Sequence, residues 1–135
     1  MEFVSFDLAK KLKEKGLSCK YPLAMYNERG SFCPLFTSAD RNPNIKSVFG
    51  NREYYDYDDF DENDFIAPTI SQVLKWLREK NIILSPNPSY FKGKNCFGWD
   101  CDIWENGNYE HRCVSDNSYE SAALSGIEYV LDNLI

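Results

Sequence analysis

The stretch Glu53–Asp64, EYYDYDDFDEND, gathers the residues best placed to do chemistry: seven carboxylates, four aromatic rings and no Lys or Arg. Three kinds of binding could use carboxylates set so closely. The first is calcium. Asp59, Asp61 and Asn63 fall at positions 1, 3 and 5 of an EF-hand loop, and Ile66 fits its apolar position 8. The pattern then fails. Position 6, where the sharp turn needs Gly, is Asp64, and position 12, where a bidentate Glu closes the site, is Ile70. Pro68 also falls inside the loop, so no metal site is expected. The second is a basic protein partner, since a run of carboxylates steers cationic surfaces at long range and interleaved rings can anchor them. On this reading Asp56, Asp58, Asp59, Asp61, Glu62 and Asp64 supply charge, and Tyr54, Tyr55 and Tyr57 supply aromatic contacts. The third is mimicry of a nucleic-acid backbone, which would make the protein an acidic decoy for a host DNA-binding protein. Against all three stands a solvated acidic loop pinned to the core by its rings, the usual fate of a like-charge block.

A second group is Cys96, Cys101, His111 and Cys113. Neither C-x4-C nor H-x-C is a recognised zinc-finger spacing. Strand alternation also puts Cys96 and Cys101 on opposite faces. His111 and Cys113 share a face, but neighbours two apart on one strand seldom reach nucleophile-to-base geometry. No nucleophile elbow, Gly-rich phosphate loop or metalloprotease helix occurs. No catalytic residue and no cofactor is therefore expected. A small enzyme with a site scattered along the sequence is the reading left open.

The net charge is −6, so the rest of the chain sums to +1 and the acidity is local. Lys10, Lys11, Lys13, Lys15 and Lys20 form a short basic cluster broken by Glu14. The overall charge opposes direct nucleic-acid binding. Five cysteines, an odd number, argue for reduced thiols rather than a disulfide framework. The apolar runs are too short for a membrane span, and the N-terminal order of charge and apolar residues is the reverse of a secretory signal. A cytoplasmic protein is expected, with no membrane contact.

The elements around these residues are well marked. A helix is predicted over about Phe6–Lys15, capped by Ser5 and stopped by Gly16, with Leu8, Ala9 and Leu12 as its apolar face. Cys19–Tyr26 and Ser31–Phe36 read as a hairpin about Asn27-Glu28-Arg29-Gly30. Residues 37–64 read as an irregular acidic connection. Thr69 and Gln72 form a capping box for a helix whose face is Ile70, Val73, Leu74 and Leu77, ending at Asn81. Ile82–Ser85 is a strand, Pro86-Asn87-Pro88 a rigid turn, and Phe97–Trp104 a half-buried strand with Asp100 and Asp102 on its polar face. Asn106-Gly107 turns into a return strand over Tyr109–Val114. A last helix starts from a capping box at Asn117 and Glu120, with Ala123, Leu124, Ile127, Val130, Leu131 and Leu134 as its stripe.

Three stretches, SFDLAKKLKEKGLSCKYPLAMY, DFIAPTISQVLKWLREKNIIL and SYESAALSGIEYVLDNLI, resemble small uncharacterised proteins of gut Bacteroidetes and their phages or prophages. The APT phrase before the WLRE helix is the most specific part. The resemblance implies a bacterial or phage accessory protein and carries over no catalytic residue.

The expected fold is α+β, residues 1–135 as a single domain, with about three helices packed on antiparallel strands that one sheet could hold. Its C-terminal half has the order α-β-β-β-α. Double-stranded-RNA-binding domains share that order, but this half lacks the basic face such modules use to grip phosphates. The expected function is a non-enzymatic interaction module of phage or mobile-element origin. Its partner would be an unknown protein of basic character. A homodimer through exposed aromatic or strand-edge surface is the other association the sequence suggests.

Overall fold

The fold is α+β, seen in a computed structural model that describes residues 2–19, 22–36, 55–56, 63–93, 96–115 and 118–135 (at 35, 36, 55, 56 and 115, the backbone). The chain divides into two compact units: Phe3–Pro68, and Thr69–Ile135 with Met1–Glu2. Its described strands form two sheets, one in each unit, rather than one.

In the first unit, helix α1 (Phe6–Glu14) starts where the sequence predicts, with the Ser5 hydroxyl accepting from the Leu8 N–H. Gly16 at φ 83° ends it in a Schellman motif. The Gly16 N–H donates to the Lys13 carbonyl and the Leu17 N–H to that of Leu12, which satisfies carbonyls the helix leaves over. Leu8, Ala9 and Leu12 are buried as its apolar face. Strands β1 (Ala24–Tyr26) and β2 (Phe32–Phe36) form the expected hairpin. Its turn is closed by the Asn27 side-chain oxygen, which accepts from the N–H groups of Arg29 and Ser31. Two short strands flank the pair: β3 (Tyr55–Asp56) runs parallel to β2, and β4 (Phe65–Ile66) antiparallel to β1. The order is β3-β2-β1-β4. The acidic segment therefore leaves this sheet at one edge strand and rejoins it at the opposite one.

In the second unit, helix α2 (Ile70–Glu79) has both halves of the capping box: the Thr69 hydroxyl accepts from the Gln72 N–H, and the Gln72 side chain accepts from the Thr69 N–H. Trp76 is buried along with Ile70, Val73, Leu74 and Leu77. Asn81 then reverses the chain in a left-handed conformation, φ 61°. Strands β5 (Ile82–Phe91), β6 (Cys96–Glu105) and β7 (Asn108–Ser115) form an antiparallel sheet in that order. Helices α2 and α3 (Tyr119–Asn133) pack on one face of it. Ile82, Cys101 and Ile103 of the sheet and Ala122, Ala123, Ile127, Val130 and Leu131 of α3 are its buried core. Gly126 lets α3 come close, because a Cβ there would lie 2.7 Å from the Cys101 Sγ and 2.8 Å from Leu84.

Two local expectations need correction. Pro86-Asn87-Pro88 is not a turn. It lies inside β5, with Pro86 opposite Cys101 and Pro88 opposite Trp99. Alternate residues of a strand direct their N–H groups to opposite sides, so two prolines two apart share a side. Among the described residues β5 has a strand, β6, on one side only, and its other side is the one that tolerates two missing donors. The cap of α3 is Ser118, whose hydroxyl accepts from the Ser121 N–H. Asn117 lies outside the described residues.

Candidate functional site

The second sheet has one face toward the helices and one away from them. Alternation along β6 sends Trp99, Cys101 and Ile103 to the helix side and Gly98, Asp100, Asp102 and Trp104 to the other. The register with β5 and β7 then assembles that outer face in rows. Ile83, Trp104 and Tyr109 make one row, Ser85, Asp102 and Arg112 the next, and Asn87, Asp100 and Val114 the third.

The β6–β7 turn sets these rows. Asn106 and Gly107 both have positive φ, 51° and 82°, the geometry of a type I′ hairpin. An unbroken two-residue hairpin would place His111 opposite Asp102. A bulge between Ile103 and Trp104 shifts the register by one residue and brings Arg112 there instead.

Asp102 is the hub of the face. One carboxylate oxygen accepts from the Arg112 Nε at 2.9 Å and from the Tyr109 hydroxyl at 3.1 Å; the other accepts from the Asn87 Nδ2 at 3.4 Å. The Arg112 hydrogen bond, helped by that of Tyr109, holds this carboxyl below the usual range. Asn87 is itself fixed, donating to the Ser85 carbonyl at 2.8 Å and accepting from the Ser85 hydroxyl. The Trp104 and Tyr109 rings meet edge to face with centroids 5.0 Å apart.

Asp100 differs. Its side chain is only 10% exposed, against 17% for Asp102 and 56% for Arg112. Its charged neighbour is the Arg112 Nε at 4.0 Å, beyond hydrogen-bond distance. Asn87 stands directly opposite but donates diagonally to Asp102. Beside Asp100 along the strand, Gly98 leaves room for the Phe91 ring, which a Cβ at that position would strike.

The side chains expected to do chemistry are distributed differently. Tyr54, Tyr57, Asp58, Asp59, Asp61 and Glu62 lie outside the described residues. Tyr55 and Asp56 form β3. Asp64 is buried, and its carbonyl accepts from the Lys13 Nζ at 2.9 Å. Asn63 and Asp64 meet Asn27, Glu28 and Arg29 around a recess of about 260 Å³. His111 and Cys113 share the helix side of β7. The His111 ring stacks on Tyr129 at 4.1 Å and 3°, and the Cys113 thiol points to the Ser125 carbonyl. Cys96 is exposed and Cys101 buried, on opposite faces. Burial, and next the neighbouring Cys113, push the Cys101 thiol up to about 12. Among the described residues no group of three or more His, Cys, Asp or Glu is arranged to hold a metal ion. Nor is any described helix long and apolar enough to cross a membrane.

The Asp100–Asp102 pair was readable as the polar side of an alternating strand. Its partners Arg112, Tyr109 and Asn87 were not, because the bulge and the β5 register decide them. No family model, curated protein or solved structure matches the chain.

Proposed function

We propose that this protein is a non-enzymatic interaction module that binds a basic protein partner. The observation that carries the reading is the row Ile83, Trp104 and Tyr109, which stand 51%, 38% and 49% exposed side by side on the outer face of the second sheet. The Tyr109 hydroxyl is held by Asp102 and its ring meets that of Trp104, an arrangement that suits a partner surface because less side-chain entropy remains to be lost on binding. The acidic segment Glu53–Asp64 supplies long-range attraction for the same class of partner. The sequence resemblance to phage and Bacteroidetes accessory proteins supports an origin in a mobile element.

The test is capture of partners on immobilised protein, run beside two variants. Trp104→Ala with Tyr109→Ala removes the rings; Asp56, Asp58, Asp59, Asp61, Glu62 and Asp64 changed to Asn or Gln remove charge. A partner held by the wild type, weakened at least 30-fold by loss of the rings and eluted by salt, is the expected result. Equal retention on all three proteins would overturn the reading.

A further inference from the structure

Asp100 is a carboxylate about nine-tenths buried that receives no hydrogen bond from any described residue, on a face whose other carboxylate has three donors. No buried side-chain oxygen of the described residues lacks a partner, so the Asp100 oxygens open to solvent, and a cationic donor from outside can take the place of water there. The charges point the same way: two carboxylates share one guanidinium, so this part of the face keeps a net negative charge.

We infer that Asp100 seats a lysine or arginine side chain of the partner protein, an inference that rests on the interaction reading above. The surroundings suit that occupant. Val114, 67% exposed, is directly opposite Asp100, and the Phe91 ring fills the space beside it over Gly98. These apolar neighbours can line the methylene stem of a long cationic side chain while its head reaches the carboxylate. A charge-assisted hydrogen bond in a partly desolvated site is about twice as strong as a neutral one, and a guanidinium can satisfy both carboxylate oxygens together. A metal ion fits poorly, because Asp102 is already committed to Arg112, Tyr109 and Asn87.

The experiment is a titration of the isotopically labelled full chain, followed by amide and side-chain carboxyl resonances. The probes are three glycine-flanked peptides that differ at one residue: arginine, lysine, or citrulline as the neutral isostere. The expected result is saturable movement of the Asp100 carboxyl and the Val114 amide with the arginine and lysine peptides, half complete on the order of 1 mM, and none with citrulline. Asp100→Asn should weaken the response about tenfold, and Asp7→Asn, at an exposed position of α1, should leave it unchanged. Val114→Lys supplies an internal competitor at an exposed position, so it should suppress binding even if Asp100→Asn fails to fold. Equal movement with citrulline would overturn the inference, as would an unchanged response in both variants. So would shifts at these residues that depend on protein concentration without peptide, since a second copy would then occupy the face. Movement confined to residues 53–64 would overturn the inference and leave the interaction reading standing; no movement anywhere would count against both.

Discussion

Protonating Asp102 removes the ionic part of its bonds to Arg112 and Tyr109, so the outer face should register in the acid stability of the fold. The folded carboxyl titrates below the unfolded value of about 3.9. Its stabilisation is therefore present above that pH and is lost as pH falls below it. Urea unfolding between about pH 2 and pH 6 should show a falling acid limb that Asp102→Asn flattens. Cys101 acts at the other end. Its folded thiol is pushed up to about 12 by burial, while an unfolded cysteine titrates near 8.5. The unfolded chain gives up that proton first, so stability should decline as pH rises from about 8.5. The same burial predicts an order of alkylation. Iodoacetamide should label exposed Cys96 in the native protein and reach Cys101 only after denaturation, as read by peptide mass mapping.

At the scale of elements, caps and close approaches set the cost of substitution. Thr69→Ala removes the α2 capping box and should cost about 1 kcal/mol in urea denaturation. Gly126→Ala gains helix propensity but pushes a methyl against Cys101 and Leu84, so a net loss of roughly 1–2 kcal/mol is expected. Signals of this local kind were legible in the sequence. Ser5, Gly16, Thr69, Gln72 and the Asn106-Gly107 pair each act within three or four residues, and each sits where its chemistry predicts. Pro86 and Pro88 were misread because a proline pair marks a turn in isolation, and only the position of β5 at a sheet edge makes it tolerable within a strand. Arg112 was invisible as a partner of Asp102 because a one-residue bulge decides which face it occupies. Putting donors back on the side of β5 away from β6 tests the edge argument: Pro86→Val with Pro88→Val should increase self-association, measured by sedimentation at rising concentration.

At the scale of the molecule, the two compact units follow the chain order almost without interleaving, and Met1–Glu2 is the one exception. The Glu2 carbonyl accepts from the Ile70 N–H, a bond to the first turn of α2. Residues 69–135 carry their own sheet, two helices and core. Expressed alone they should keep the amide dispersion of β5, β6 and β7, with α2 losing that one bond at its start. The candidate face, built wholly within this unit, should survive with them.

The prolines of β5 bear on a hazard that faces any small sheet protein. A sheet open on both sides can add copies without limit, each new edge templating the next. Here one side lacks donors at two positions, while the β7 side has no strand beside it among the described residues. Growth by backbone pairing is then opposed on the β5 side. The two prolines make that margin a chain terminator for backbone pairing.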